Sequence, residues 1–310
     1  MIDIVVPYVN PNDKNWQELH SKFNKCKGDN SRQRTRDINI FKYFFRGVAK
    51  NCEWVRKIHL LVQSPSQIPS WLDTSNPKIH VVYHEEYIPK ELLPTFNTFI
   101  IEGFLHRIPE LSEHFIYCND DFFFVNKTKE DDFFRNELPV DNDKLTKYLT
   151  ANPIHDKIYN GIGWVFFQNV LKSNQILEKQ ITGKCPIYFN FHTPCVFNKS
   201  LIDDVWEKHN DILMAALKES KFRREYNFNA WLFRYIQLDR GAFVKSDSII
   251  TDFSYKELGV STMKEIMLDL FTKKFVCLND MIKDTDEDII SYQMNKLFDV
   301  IFPYKCEYEK

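Results

Sequence analysis

The chain has 310 residues, of which 44% are hydrophobic and 15% are aromatic, and its formal net charge is −2. This length suits one large domain or two moderate ones, and the apolar content is enough for a bulky core. The sequence has no long basic stripe, which argues against a protein that binds duplex nucleic acid. No run of about 18 apolar residues occurs, so we predict no membrane-spanning segment. Peripheral attachment to the inner face of a membrane stays open.

The seven cysteines are dispersed, odd in number and without the paired spacing of a zinc site. We therefore expect reduced thiols and a cytoplasmic location. The sequence begins with IDIVVPYV, which lacks the basic start and the small-residue cleavage site of a signal peptide.

Strand and helix patterns alternate along the first part of the chain. Residues 2–9 predict a buried strand, and the apolar positions from Ile38 to Val48 recur at helical spacing. Residues 57–62 (KIHLLV) and 78–83 (KIHVVY) predict two further strands. This alternation predicts an α/β fold with a largely parallel, doubly wound sheet. In such sheets, ligands bind at the carboxyl ends of the strands.

Two early segments supply candidate ligand-binding side chains. Residues 22–37 form a polar, arginine-rich segment that includes Arg34, and we expect a mobile loop. Guanidinium groups match phosphate oxygens, although most surface arginines only maintain solubility. Thr95 is the predicted cap of a helix that runs to Phe104. Glu102 lies in that helix among mostly apolar neighbours, which favours a buried role over a solvated one.

The stretch from 115 to 125, FIYCNDDFFFV, places three polar residues inside a strongly apolar run, namely Asn119, Asp120 and Asp121. One interpretation is a solvated turn between two strands. The other is the carboxyl end of a buried strand, where two adjacent carboxylates must share a proton or a cation. Carboxylate oxygens suit Mg²⁺ or Mn²⁺, which bridge to phosphates. The second interpretation predicts a metal site.

The rest of the chain offers fewer chemical signals. Residues 126–150 are polar and predict a surface excursion with a short hairpin or helix. His192 lies in an apolar run, a setting more typical of a core histidine than of a ligand. Residues 273–280 (KKFVCLND) predict a late strand that ends at Asp280. Helical spacing is present in 202–206, 228–236 and 290–301, the acidic run 284–289 predicts a solvated helix start, and the aromatic run 164–171 predicts core or a substrate-facing wall.

Four blocks of this sequence, in order, resemble the Stealth family. That family includes bacterial capsular polysaccharide phosphotransferases and the animal enzyme that adds GlcNAc-1-phosphate to lysosomal glycoproteins. The blocks are IDIVVPYVNPND with Trp16, the long segment 34–124, the His192-Thr-Pro194 block, and FVCLND at 275–280. The long second block is the most specific.

The chain also departs from the family pattern. Tyr8 stands where the family has Trp, and Asn10 to Asn12 replace the usual Asp-Gly. Ile40 stands where an acid is common before the helix of the second block. If that acid touches the donor or the metal in the family, its role is absent or moved here.

The resemblance implies a Rossmann-like nucleotide-sugar transferase core of the GT-A type with added C-terminal helices. It implies one catalytic domain over 1–310, in which 1–125 bind the donor and 126–310 shape the acceptor site. It further implies that a hexose 1-phosphate moves from a nucleotide-sugar, with a UDP-sugar favoured, to a hydroxyl of a glycan or lipid-linked glycan.

The resemblance also implies roles for particular residues. The expected catalytic set is Glu102, Asp121, His192 and either Arg223 or Arg224. His192 is the candidate general base, and Glu102 is a second base candidate or orients His192. The expected donor-binding residues are Arg34, Asp37, Asn97 and Asn119, and the expected Mg²⁺ or Mn²⁺ ligands are Asp120, Asp121 and Asp280.

Two other functions fit the same residues. A metal-dependent glycosyltransferase also places acids at a strand end, but it forms a glycosidic bond and releases a nucleoside diphosphate. A catalytically inactive sugar-nucleotide-binding protein would bind donor with metal and release nothing.

Overall fold

The structure, a computed structural model, describes residues 1–29, 31–146, 153–190 and 192–310, with side chains in the long central helix described from 165 onward. The strands are β1 (Ile2–Pro7), β2 (Val55–Val62), β3 (Ile79–Tyr83), β4 (His114–Tyr117), β5 (Phe122–Phe124), β6 (Phe134–Arg135), β7 (Leu138–Asp141), β8 (Cys195–Asn198), β9 (Val244–Lys245), β10 (Phe253–Leu258) and β11 (Phe275–Asp280). The helices are α1 (Lys14–Phe23), α2 (Phe41–Asn51), α3 (His84–Tyr87), α4 (Thr98–Gly103), α5 (Pro153–Thr182), α6 (Lys199–Leu217), α7 (Trp231–Asp239), α8 (Ser248–Thr251), α9 (Met263–Thr272) and α10 (Glu287–Ile301).

The central sheet has the strand order β3-β2-β1-β4-β8. The first four strands are mutually parallel, and β8 runs antiparallel to β4. Every residue of β1 is buried, as expected of a strand that is covered on both faces. The Rossmann-like α/β fold predicted from the sequence is confirmed.

Two apolar clusters cover the two faces of this sheet. One contains α2, α10 and the strands β5 and β11, and it joins the beginning of the chain to its end. The other contains α4, α6 and α7. In the first cluster the Phe44 and Phe124 rings meet edge to face, and Phe123 packs on Phe298. A Cβ at Gly47 of α2 would lie 2.6 Å from the carbonyl oxygen of Phe124, so the close contact of α2 with β5 requires glycine there.

A smaller sheet has the order β10-β11-β5, with β10 parallel and β5 antiparallel to β11. The single run predicted at 115–125 is therefore two strands, β4 and β5, which belong to different sheets. Asn119, Asp120 and Asp121 lie in the link between them. Each interpretation of this run is partly right, because the acids lie both at the carboxyl end of β4 and between two strands.

Several local predictions differ from the structure. Asn97, not Thr95, caps α4, because its side chain accepts a hydrogen bond from the Phe99 N–H at 3.0 Å. Residues 164–171, for which no secondary structure was predicted, lie within the helix α5. The strand β10 and the helices α1 and α9 were not predicted.

Other predictions hold. The hairpin of β6 and β7 lies within the predicted excursion 126–150, whose residues 147–150 fall outside the described part of the chain. All seven cysteines are free thiols. Among the described residues, no helix is both long enough and apolar enough to cross a bilayer. The division into donor and acceptor halves at residue 125 stays a prediction.

Candidate active site

The acidic link between β4 and β5 is held in place by the smaller sheet. The Leu278 N–H of β11 donates to the Asp121 backbone carbonyl at 2.9 Å. The carboxylate oxygen Oδ2 of Asp121 accepts from the Cys277 thiol at 3.5 Å. Its other oxygen, Oδ1, is inaccessible to solvent and receives no hydrogen bond from the described residues. Burial of the carboxylate raises the pKa of Asp121 to about 6.

Asp120 sits beside two other carboxylates. Part of its side chain is open to solvent. Loss of hydration on the protein side is the main cause that raises the pKa of Asp120 to about 7, and the charges of Asp121 and Asp37 add to it. Three acids that repel one another in this way need a cation or shared protons at neutral pH. The link therefore has the electrostatic character of a cation-binding site.

Asp121, His192 and Cys277 form the group best arranged to hold a metal ion. One potential ligand atom from each lies within 4.8 Å of the others. The His192 ring lies 5.1 Å from the Tyr255 ring, edge to face, and 5.9 Å from the Phe122 ring. Burial among these rings lowers the pKa of His192 to about 4, so the imidazole is neutral at physiological pH.

These residues fit a divalent cation. The observation that decides the fit is the inaccessible, unpartnered Oδ1 of Asp121, because a buried charged oxygen without a donor is otherwise costly. Carboxylate oxygens suit Mg²⁺ or Mn²⁺, whereas imidazole and thiol suit softer ions. Burial and the neighbouring Asp121 raise the pKa of Cys277, so its thiol is protonated in the metal-free protein.

Asp280 occupies a neighbouring position with different contacts. Its carboxylate pairs with Arg36 at 3.1 Å, and Arg36 also binds Asp284 at 2.6 Å. Side chains alternate along β11, so Asp280 points to the opposite face of the strand from Cys277. The structure thus brings Cys277, rather than Asp280, into contact with Asp121. The prediction that Asp280 binds metal stays untested.

Tyr8 and Asp37 form a wall beside the acidic link. The Tyr8 hydroxyl donates to Asp37 Oδ2 at 2.9 Å, and its ring stacks on Phe41 at 4.5 Å. Burial, followed by the charges of Asp37 and Asp120, raises the pKa of Tyr8, so this hydroxyl stays protonated. Tyr8, seen in the sequence only as a departure from the family pattern, therefore fixes the orientation of a predicted donor-binding residue.

Two arginines lie near the Asp29 carboxylate, and the charge of one of them, Arg34, also lowers the pKa of Asp121. Arg34 pairs with Asp29 at 2.7 Å, whereas Arg223 lies 4.0 Å from the same carboxylate, at the outer limit of an ion pair. Arg223 also lies over the Phe99 ring at 5.5 Å. Burial, followed by repulsion from Arg34, lowers the pKa of Arg223 to about 10, so it remains charged at neutral pH. Two guanidinium groups that share one carboxylate leave an excess positive charge suited to phosphate oxygens.

Gly28 makes this arrangement possible. The backbone of Asp29 bonds to the Arg223 carbonyl at 2.9 Å, which brings the loop before Arg34 against the segment that carries Arg223. Gly28 has a φ of +142°, and a Cβ there would lie 2.5 Å from the Phe222 Cβ. A larger residue would therefore separate the two arginines.

Glu102 supports the site from the core. It is 7% exposed and accepts hydrogen bonds from the Ala230 N–H at 2.8 Å and the Tyr117 hydroxyl at 3.1 Å. Burial raises its pKa to about 7, partly offset by these hydrogen bonds and by the charge of Arg223. The contact with Ala230 holds the start of α7, whose first residue, Trp231, packs 6.0 Å from the His192 ring. Glu102 thus holds the start of α7, the helix whose first residue contacts His192.

Comparison with known proteins gives a consistent family assignment. Residues 34–141 match Stealth protein conserved region 2. The chain is 32% identical to the capsular polysaccharide phosphotransferase WcwK of Streptococcus pneumoniae, with 100% of this chain and 99% of that protein covered. It is also 32% identical to an exopolysaccharide phosphotransferase of Lactiplantibacillus plantarum, with 100% and 96% covered, and to the receptor polysaccharide phosphotransferase WefC of Streptococcus gordonii, with 99% and 98% covered.

The chain belongs to the Stealth family. This confirms the resemblance seen in the sequence. Three more residues that the resemblance implicated in this Stealth protein are Arg224, Asn97 and Asn119. Arg224 lies over the Tyr226 ring at 5.2 Å, and its backbone N–H bonds to Asn227. Of the two arginines that the sequence left open, Arg223 is the one that lies near Asp29 and Arg34.

The two predicted asparagines have contrasting positions in this Stealth protein. Asn97 is fully buried, and its amide donates to Asn227 at 2.9 Å and to the Ser220 carbonyl at 3.2 Å. This amide secures the segment that precedes α7, and the prediction that Asn97 binds the donor stays untested. Asn119 is half-buried in the acidic link, where its backbone carbonyl accepts a hydrogen bond from the Phe122 N–H at 3.2 Å.

Sequence reasoning missed Tyr8, Tyr117, Tyr255 and Cys277 as parts of the site. The signal for Cys277 was present, because it lies in the FVCLND block three residues before Asp280. Its face on β11 depends on pairing with β5, which links distant parts of the chain. Tyr255 lies on a strand that was not predicted.

Proposed function

We propose that this Stealth protein transfers a sugar 1-phosphate from a nucleotide-sugar to a hydroxyl of a glycan, during synthesis of a capsular or cell-surface polysaccharide. The phosphotransferase names of its full-length relatives support a phosphotransfer role. The observation that carries the proposal is the pair of carboxylates Asp120 and Asp121 with the guanidinium of Arg34 near enough to lower the pKa of Asp121. Arg223 shares the Asp29 carboxylate with Arg34. Phosphoryl transfer requires this kind of positioning and charge neutralisation more than covalent chemistry.

In the proposed reaction, the oxygen of an acceptor hydroxyl forms a bond to the β-phosphorus of the donor. The bond from that phosphorus to the oxygen bridging to the α-phosphate breaks, and its electron pair leaves with a nucleoside monophosphate. The bond between the sugar and its phosphate is untouched. The product is a phosphodiester.

The residues of this chain have separate tasks in that reaction. His192, neutral and beside Asp121, accepts the hydroxyl proton as the new bond forms. Arg223 and Arg34 neutralise the phosphoryl oxygens. A divalent cation held by Asp121, with Asp120 nearby, would supply further charge neutralisation at the diphosphate. Glu102 acts indirectly, because it holds the start of α7 against His192.

The test is product analysis. Purified protein with a panel of nucleotide-sugars, UDP-sugars included, an acceptor glycan and Mg²⁺ or Mn²⁺ should release nucleoside monophosphate. The glycan should show a phosphodiester signal by phosphorus NMR, and EDTA should abolish both. Release of nucleoside diphosphate with a new glycosidic bond would instead establish the glycosyltransferase alternative. Donor binding by calorimetry without any release would indicate an inactive binding protein.

A conservative variant sharpens this test. Arg223→Lys keeps the charge but loses the forked donor geometry, so turnover should fall by about 10²-fold or more. Arg224→Lys is the matched control at the adjacent position and should retain most activity. Equal losses in both variants would contradict the assignment of Arg223.

A further inference from the structure

Positive charge is concentrated in two segments of the chain, although the chain as a whole has a net charge of −2. Residues 14–36 contain seven lysines and arginines and two acidic residues. Residues 218–226 contain four lysines and arginines and two acidic residues. The remainder of the chain is therefore acidic, and these two segments carry charge of the opposite sign.

Contacts between the two segments bring their charges together. The Asp29 N–H donates to the Arg223 carbonyl at 2.9 Å. The Lys221 ammonium lies 5.7 Å from the centre of the Phe23 ring at the end of α1. The residues that follow α1 therefore lie against the residues that precede α7. We call the surface that they share the basic face, and its cations are Lys22, Lys25, Lys27, Lys218 and Lys221.

Neighbouring acids do not neutralise this face. In the part of the chain that the structure describes, none of its five ammonium groups forms an ion pair. The acidic residues of the two segments are Glu18, Asp29, Glu219 and Glu225. Arg34 binds Asp29 at 2.7 Å, and Glu225 accepts from the Asn169 amide at 2.8 Å. The adjoining turn at 90–92 adds one lysine and one glutamate, so the face keeps a net positive charge.

The shape of the face suits a broad, flat partner. None of the ten residues of α1 is fully buried, so this helix lies on the outside of the protein. Its Trp16 and Phe23 rings pack on the Phe96 ring, and Lys22 is exposed. Lysine carries a compact charge on a flexible stem, which suits a diffuse layer of negative charge, whereas arginine suits a phosphate at a fixed position. A helix end that projects in this way meets a flat surface more readily than it encloses a single chain.

We propose that the basic face binds the headgroups of a membrane that contains anionic lipids. Clusters of about four to eight lysines and arginines on an amphipathic helix are typical of proteins that bind such surfaces. Lys27 is two residues from Asp29, the carboxylate that Arg34 and Arg223 share. Docking would therefore hold the two arginines of the candidate active site close to the membrane surface. The inference concerns attachment rather than turnover, so it goes beyond the proposed reaction.

The test is co-sedimentation of the whole protein with lipid vesicles. The vesicles contain phosphatidylcholine alone, or phosphatidylcholine with about one third phosphatidylglycerol. The protein should bind the anionic vesicles at least about tenfold more tightly than the neutral ones. Raising the salt from about 0.1 M to about 0.5 M should release it, because salt screens exposed charges. Equal binding to both vesicles, or binding that salt does not weaken, would overturn the proposal.

A charge variant tests the location of the face. The combined substitution Lys22→Gln, Lys25→Gln and Lys27→Gln removes three exposed cations that have no ion pair among the described residues, so the protein should fold normally. Each lysine near an anionic surface strengthens binding by about fivefold. We therefore expect the triple variant to bind anionic vesicles at least about 20-fold more weakly than the natural protein.

The matched control removes the same charge elsewhere. Its three exposed lysines lie on α9, on α10 and near the end of the chain, and the substitutions are Lys264→Gln, Lys296→Gln and Lys305→Gln. These elements belong to the apolar cluster on one side of the central sheet, whereas Leu217 and Phe228, which flank the second basic segment, belong to the cluster on the other side. The control should bind anionic vesicles within about twofold of the natural protein. Equal losses in the two triple variants would refute the basic face.

A soluble glycan chain that carries phosphodiesters is the competing partner for the same cations. Its probe is poly(glycerol phosphate), compared with the anionic vesicles at equal phosphate concentration. Tighter binding of the vesicles supports the membrane assignment, whereas tighter binding of the polymer, lost in the Lys22, Lys25 and Lys27 variant, would overturn it. Monophosphate release without vesicle binding would refute only this inference, and vesicle binding without monophosphate release would refute only the transferase.

Discussion

Replacing Asp121 with Asn should stabilise the metal-free protein. Burial raises the pKa of Asp121 from an ordinary value of 3.8 to about 6, so the folded state disfavours the ionised form. At about 1.4 kcal/mol for each tenfold change in a proton equilibrium, this costs about 3 kcal/mol above pH 7. Solvent contact on the open side of this half-buried side chain reduces the expected gain to about 1–3 kcal/mol. In a chain of this length, we expect Tm to rise by roughly 1.5–4.5 °C.

The pH dependence gives this prediction its sign. The folded protein retains the Asp121 proton up to about pH 6, whereas the unfolded chain loses it near 3.8, so the cost appears as pH rises through that window. The gain from Asp121→Asn should thus be largest at pH 8 and fall to about 1 kcal/mol or less at pH 4.5. Thermal unfolding in EDTA at both pH values measures it. Saturating Mg²⁺ or Mn²⁺ should then stabilise the natural protein but not the variant, by about 3 kcal/mol at 100 times Kd.

Asp3 provides a control of opposite sign. Burial alone would raise the pKa of Asp3, but hydrogen bonds from His59, Arg56 and Ser112 lower it to about 2. This contribution is present above pH 3.8 and is lost only as pH falls toward 2, so Asp3→Asn should destabilise the protein by about 2 kcal/mol or more at both pH 8 and pH 4.5. If Asp121→Asn is less stable than the natural protein at pH 8, or gains equally at both pH values, the carboxylate is not strained as described.

Three further predictions concern the site and its support. His192→Asn should lower turnover by at least about 10²-fold with little change in Tm, measured by monophosphate release, and retained activity would exclude His192 as the base. Gly47→Ala should destabilise the protein by about 1–3 kcal/mol in urea unfolding although Ala favours helices, because its Cβ would clash with the Phe124 carbonyl; a more stable variant would contradict this packing. Glu102→Gln should leave a buried donor facing the Ala230 N–H or the Tyr117 hydroxyl, so we expect a less stable protein in urea unfolding and a lower kcat for monophosphate release. Natural stability or natural kcat in this variant would contradict the role of Glu102.

Much of the central sheet could be predicted from the sequence because its strands are buried on both faces. Segments such as 57–62 are therefore short apolar runs in the sequence. The preceding helix α2 was predicted from its helical spacing of apolar residues. The break between β4 and β5 could not be predicted in this way. Phe115 and Phe123 are equally buried, and an apolar run does not reveal that the chain changes sheets within it.

The sequence indicated several residues of the candidate site, but it did not indicate which residues they contact. The apolar neighbours of Glu102 correctly indicated burial, but its bond to the Ala230 N–H joins positions far apart in the sequence. The same holds for Cys277, whose orientation toward Asp121 depends on antiparallel pairing with β5. Asn97 was a donor-binding candidate only through the family resemblance, and its contact with Asn227, which is distant in the sequence, could not be predicted.

The link between β4 and β5 is anchored at both ends, by β1 on one side and β11 on the other. Its four residues, 118–121, therefore have little freedom to absorb a change in length. Adding or deleting a single residue there would rotate the two aspartates relative to His192. Length variation among naturally occurring versions of this enzyme should accordingly be rare between β4 and β5.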